Sequence, residues 1–235
     1  MKLRIKFTKS GPVRFIGHLD IMRYFQKAIR RAEIDVAYSE GFSPHQIMSF
    51  AAPLGVGLTS DGEYLDIEVK TVTSSEDMKK KLNEVMVPGI EIVSIVELDE
   101  KAGNAMASVA AAKYTAAFRE GYEPIFDWIS QFDVFMEQPE ILITKKTKKS
   151  ETELNLKNFI FDIQTDAAAK EVHMLVDASS SGNIKPSMVM QAFMDANNEI
   201  LPEFALRIHR NDTFTNVGSS ESPKFVPLSE IGKEF

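Results

Sequence analysis

Two histidines near the start of the chain have neighbours that could make them reactive. His18 lies in RFIGHLD, flanked by Arg14 and Asp20, and His45 closes SEGFSPH after Ser39, Glu40 and Ser43. An imidazole titrates close to neutrality and can act as acid, base or metal ligand. His18, His45 and Asp20, with Glu40 as a further carboxylate, are therefore the candidates for an acid/base or ligand cluster. They form one site only if the long excursion between Ala37 and Ile47 folds back toward the first helix. The histidines show no tight spacing such as HExxH. No metal or other cofactor is expected, and His18 and His45 are the candidates were a metal present. Turn chemistry is the competing explanation. If Gly17 caps the helix, Asp20 stands three residues on, where a carboxylate meets free N–H groups and the positive end of the dipole. That same helix start, with Arg14 and His18 beside it, also suits an anion because its donors are unpaired.

Charge sharpens the choice. The chain of 235 residues carries a net −7, which argues against a general nucleic-acid binder. Its distribution is uneven. In residues 1–50, nine Lys or Arg stand against four acids, an excess of five that leaves −12 for the remainder. From Leu19 onward, Leu19, Met22, Ile29 and Ala32 recur at helical spacing, with Arg23, Lys27, Arg30 and Arg31 mainly on the other side. Arg14, His18, Arg23, Lys27, Arg30, Arg31 and His45 are the candidate anion- or RNA-binding residues. A solvated helix face is the plainer explanation of the same pattern. RRM-type stacking is not indicated, because EYLDIEV carries acids where that motif places aromatics. There is no GxGxxG or GxxxxGK[ST] loop, and Gly41, Gly55 and Gly57 are turn glycines. Cysteine is absent, which excludes disulfides, thiolate zinc sites and an iron–sulfur cluster held by this chain.

The elements that must position these residues follow from periodicity. LRIKFTK alternates as a half-buried strand, and the basic amphipathic helix follows Gly11-Pro12. A short strand, a loop with Gly41 and Pro44, an apolar strand around Ile47 to Ala52, and EYLDIEV come next. Then SEDMKKKLNEVM, capped by Ser74 or Ser75, leads to GIEIVSIVEL. The order is β-α-β-β-α-β. DEKAGNAMAS reads as a linker, after which the order recurs through Lys113 to Arg119, the helix EPIFDWISQFDVFME, EILITKKTK, ELNLKNFIFDI, EVHMLVDAS, SMVMQAFMDANN and FALRIHRND. The expectation is an α+β protein of two tandem ferredoxin-like units with antiparallel sheets. These are residues 1–100 and 111–217, joined by a linker at 101–110 and followed by a loosely ordered tail at 218–235. Lys145 to Lys149 read as a basic hairpin tip, Phe126, Trp128, Phe132 and Phe135 as core, and His173 and His209 as strand residues without a role. No run reaches the roughly eighteen apolar residues of a membrane span, and the opening alternates rather than forming a signal block, so a cytoplasmic protein is expected.

Residues 13–69 carry a resemblance. The turn R-F-I-G-H-L-D, the helix segment A-I-R-R-A, the loop Y-S-E-G-F-S-P-H, the strand S-F-A-A-P-L-G-V-G and the strand E-Y-L-D resemble the radical-SAM-linked domain family, a bacterial family of unknown function. Gln46 and Ile47 depart from the basic residue that often follows its GFxPH. The matching positions here are Arg14, Gly17, His18, Asp20, Arg23, Arg30, Arg31, Ser39, Gly41, Phe42, Pro44, His45, Ser49 and Pro53. The family's domain follows a radical-SAM module or is encoded beside one, commonly near a ribonuclease of the E/G type and large-subunit ribosomal protein genes. The resemblance therefore implies an accessory module that works with a separate radical-SAM protein on RNA or a ribosomal component. Without a CxxxCxxC motif this chain cannot itself generate the radical. Two alternatives stand beside that expectation. One is a metal-independent endoribonuclease of the tandem ferredoxin-like type with His18 or His45 as general acid/base. The other is a structural protein-protein adaptor.

Overall fold

Leu3, Ile5 and Phe7 alternate with Arg4 and Lys6, and the strand they form, β1 (Lys2–Lys9), is the middle of a mixed α+β unit. The computed structural model describes residues 1–146 and 151–235. They fall into two units, Met1–Ala110 with Arg210–Phe235, and Ala111–His209.

In the first unit a turn of 3-10 helix, Gly11–Phe15, leads into α1 (His18–Arg31), which Gly17 opens. The chain continues through β2 (Met48–Phe50), β3 (Thr59–Glu68), α2 (Ser75–Val85), β4 (Ile92–Leu98) and the single turn α3 (Ala105–Ser108). Ser74 caps α2 by accepting from the Asp77 N–H, and Asn104 caps α3 in the same way. β1 pairs antiparallel with both β3 and β4, and β2 pairs with the opposite edge of β3. The short strand expected after α1 is reduced to two isolated bridges, Val36 to Val69 and Tyr38 to Gln46. Ile21, Phe25 and Ile29 from α1 meet Leu3, Ile5, Phe7, Leu65 and Ile67 in one core. At roughly 1.5–3 kcal/mol for each large side chain fully buried, this face fixes the helix on the sheet.

The second unit holds β5 (Ala111–Phe118), α4 (Trp128–Glu137), β6 (Leu142–Lys146), β7 (Glu151–Asn155), β8 (Ile160–Asp166), β9 (Glu171–Asp177) and α5 (Pro186–Ala196). β9 pairs antiparallel with β5 and β8, while β6 and β7 form a separate hairpin. α4 starts four residues after Pro124 because Asp127 accepts from Ser130 N–H and Oγ–H and stops the helix there. Trp128, Phe132 and Phe135 are buried, as their spacing predicts, with Phe193 of α5. Of the expected basic hairpin tip, Lys145 and Lys146 end β6, and Lys148 and Lys149 lie outside the described residues.

The last strand, β10 (Leu206–Asn216), begins in the second unit and from Arg210 onward belongs to the first. The tail expected to be loose is structured. β11 (Phe225–Pro227) pairs with β10, Leu228 is fully buried in a 3-10 turn, and β12 (Gly232–Lys233) pairs with β4. Its Ser and Pro content hides a few anchors. Arg4 shows the consequence, being 1% exposed and gripping Asp66 through two bonds of 2.8 and 2.9 Å while reaching the Leu228 carbonyl. No described helix is long and apolar enough to cross a membrane.

Candidate functional site

The start of α1 is built over the end of β1. Between Phe7 and Lys9 the register with β3 shifts, so that Phe7 faces Glu63 and Lys9 faces Ser60. The irregularity re-aims the strand end, and Lys9, 3% exposed, donates from Nζ to the Ile16 carbonyl at 2.8 Å. That carbonyl belongs to the turn that leads into His18. The imidazole of His18 meets the ring of Phe50 edge-on, with centroids 5.1 Å apart.

Glu63 and Arg210 form the charged floor of this region. They are 6% and 3% exposed. Arg210 donates to the Glu63 carboxylate from both Nε, at 2.8 Å, and Nη2, and Nη2 also donates to the Ala52 carbonyl at 2.6 Å. Burial pushes the Lys9 ammonium below its ordinary pKa, opposed by Glu63 and reinforced by Arg210. Burial likewise pushes His18 down, opposed by Glu63 and reinforced by Lys9. Burial thus favours the neutral ring, which offers one hydrogen-bond donor and one acceptor. Arg14 stacks its guanidinium over Phe15 at 4.8 Å, and its buried Nε has no hydrogen-bond partner among the described residues. Its carbonyl accepts from Gly57 N–H at 2.8 Å, which fastens the Gly55–Leu58 loop to the turn. Gly57 adopts φ +87°, a conformation that favours glycine.

His45 is elsewhere. Its Nδ1 lies 2.9 Å from Ser39 Oγ in an exposed loop. The next residue, Gln46, donates from Nε2 to the Gln26 carbonyl, which sits two turns into α1, about 12 Å along the axis from His18. Phe50, which touches His18, is five extended residues beyond His45, roughly 16 Å of backbone. The two histidines of the expected shared site thus have different contacts, His18 packing on Phe50 at the helix start and His45 on Ser39 next to the residue that bonds to Gln26. Among the described residues no group of three or more metal-ligating side chains is present. Asp20 does not cap α1 through its side chain. It sits in the first turn and pairs at 3.1 Å with Arg23, both side chains exposed.

The outward face of α1 has a different character. Arg30 donates to the Gln26 carbonyl at 3.3 Å, and Arg31 to the Val85 carbonyl at 3.2 Å while lying over the Tyr24 ring. Neither is paired with a carboxylate among the described residues, and Lys27 is exposed beside them. The expected cationic residues thus divide. Arg14 and His18 stand at the helix start, Lys27, Arg30 and Arg31 along its outer face, Arg23 is neutralised by Asp20, and His45 is apart.

A family profile described as an uncharacterized protein conserved in bacteria matches residues 2–186. The chain belongs to this family. No curated protein matches it. The span shared with the family includes Lys9, His18, Phe50 and Glu63 and ends at the first residue of α5, before Arg210. Within this family member, Lys9, Phe50, Glu63 and Arg210 are the site residues that sequence reasoning missed. A signal existed for one of them. Glu63 sits on the same side of β3 as Leu65 and Ile67, so a carboxylate was bound for the core and required a cation. Nothing local links it to a residue 147 positions away.

Proposed function

We propose that the chain is an accessory binding module that works beside a separate radical-SAM enzyme and engages RNA or a ribonucleoprotein through the outer face of α1. The observation that supports this reading is the pairing of Arg30 and Arg31 with main-chain carbonyls instead of carboxylates, which leaves two guanidinium charges and Lys27 for an anionic partner. The resemblance of the turn, helix and loop motifs to radical-SAM-linked domains supplies the partner class. On this reading the chain acts in the cytoplasm, and both units are ferredoxin-like. Support for the fold comes from recurrence: β4-β1-β3 with β2 on the far edge, and β10-β5-β9-β8.

Gel-shift titration with total cellular RNA tests the proposal. The wild-type chain binds in a salt-dependent manner, and Arg30→Ala with Arg31→Ala lowers the slope of log K against log salt by about 1.4, two single-strand phosphate contacts' worth. Binding that is absent, or indifferent to the double variant, removes the RNA part. Co-purification with the radical-SAM chain in nuclease-treated extract then identifies an adaptor.

One observation favours a second reading, an RNA-cleaving activity with His18 as general base. Burial pushes the pKa of its ring down, which leaves a partly buried proton acceptor at the helix start that also carries Arg14. Metal-free cleavage lost on His18→Ala supports it, and intact RNA after prolonged incubation rules it out. His45 and Asp20 have no part in this reading.

A further inference from the structure

The second unit contains a groove of about 720 Å³ between the β6 strand and the helices α4 and α5. Its floor is apolar, with Phe135, Ile141, Met188 and Leu201, and Glu140 and Asp195 stand on its exposed rim. One wall is a strand edge. Among the described residues β6 pairs with β7 alone. The hydrogen-bonding parity of that pair follows from Ile141, whose carbonyl accepts from Leu156 N–H and whose own N–H donates to Asn155 Oδ1. Ile141 therefore points its main-chain groups at β7, as do Ile143 and Lys145 by alternation. Leu142 and Thr144 point theirs the other way. Both are groove residues, and Leu142 is 53% exposed.

An open strand edge over an apolar trough is the geometry of strand addition, in which main-chain bonds supply affinity and alternate side chains fill the trough. Charge selects the occupant. Among the described residues the Asp195 carboxylate accepts from the neutral Gln191 amide, at 2.7 Å, and neither it nor Glu140 has a cationic partner. We infer that this groove binds an extended segment of a partner protein that adds antiparallel or parallel to β6, placing apolar side chains over Phe135 and Met188 and a Lys or Arg toward Glu140 and Asp195. The five residues of β6 set the length of the segment at four to five residues in contact. The site is independent of the basic face of α1 and adds a protein partner to it.

Selection of a random heptapeptide phage library on the full chain tests the inference, with fluorescence polarisation of the recovered peptides as readout. Recovered sequences alternate β-branched or aromatic residues with polar ones and contain at least one Lys or Arg. Ala196→Arg, an exposed groove position, weakens their binding at least tenfold, as does Thr144→Pro, which removes an outward N–H. Amide hydrogen exchange at Leu142 and Thr144 slows in the complex. A library that yields no binder, peptides that are acidic, or affinities untouched by Ala196→Arg overturns it, and that exposed variant guards against loss of fold in the proline one. A concentration-dependent dimer dissolved by Ala196→Arg in sedimentation experiments assigns the edge to a second copy and also overturns it.

Discussion

The two ends of the positive charge on and around α1 differ in how they are held. At the helix start Lys9 and Arg210 are enclosed, with Glu63 as their counter-charge and the Ile16 and Ala52 carbonyls as acceptors. Along the outer face Lys27, Arg30 and Arg31 are exposed, the arginines tethered to carbonyls and Arg31 also lying over the Tyr24 ring. An enclosed charge has given up its hydration and depends on its partner, so it fixes geometry and tunes its neighbours. A solvated one costs little to keep and is available to a visitor. The comparison teaches that the count of cations near a helix is uninformative until their counter-ions are known.

Cutting the enclosed pair breaks that comparison most decisively. Glu63→Ala takes the carboxylate away from the buried Arg210 guanidinium, and urea denaturation is expected to show a loss of about 3–5 kcal/mol. Glu63→Leu with Arg210→Met recovers most of it, since a buried ion pair replaced by packed apolar groups is often neutral. A loss below about 1 kcal/mol for Glu63→Ala means that water reaches the pair, and then the two ends of the helix are not different in kind.

A titration sharpens the contrast further. Burial holds the folded pKa of His18 below the ordinary 6.5. As pH falls past 6.5 the unfolded chain takes the proton first and binds more protons than the folded one, so stability declines with falling pH until the folded ring is itself protonated. His18→Gln removes this part of the pH dependence. Glu63→Gln widens the window instead, because the carboxylate that opposes the shift is gone. An unchanged profile in His18→Gln would show that the ring is solvated. On the exposed face, Arg30→Ala with Arg31→Ala shifts stability by no more than about 0.5 kcal/mol per site while impairing RNA retention. A larger loss makes those arginines structural.

The sequence showed the strands and helices wherever one face is buried and the other wet, as in α1 and in the Leu3, Ile5, Phe7 series of β1. It misled where both faces are covered. Arg4 and Lys6 alternate like solvent-facing residues, yet Arg4 is buried on Asp66, and Lys6 reaches Asp212 at 2.6 Å. The reason is that β10 and the C-terminal segment supply partners from far along the chain, and periodicity reports only that a face is polar, not what covers it. The same limit hid the Glu63–Arg210 floor. His18 and His45 were drawn together by residue type, and that type says nothing of the separate contacts they make, with Phe50 and with Ser39.

The smallest expected effect isolates the exposed face best. Asp20 lies in the first turn of α1, where its charge faces the positive end of the dipole, and it neutralises Arg23 at 3.1 Å. Asp20→Asn loses the dipole interaction, about 0.3–1 kcal/mol, and an exposed i,i+3 pair, about 0.2–0.5 kcal/mol. Stability therefore falls slightly. RNA affinity moves the other way, because Arg23 is released onto the same side of the helix as Lys27 and a repelling carboxylate is removed. The gain is bounded by the worth of one exposed pair, up to about fivefold for the ~1 kcal/mol ceiling of such contacts. A variant that loses stability and RNA affinity together contradicts the assignment, since it means that the anion senses the integrity of the helix start and not the charge along its face.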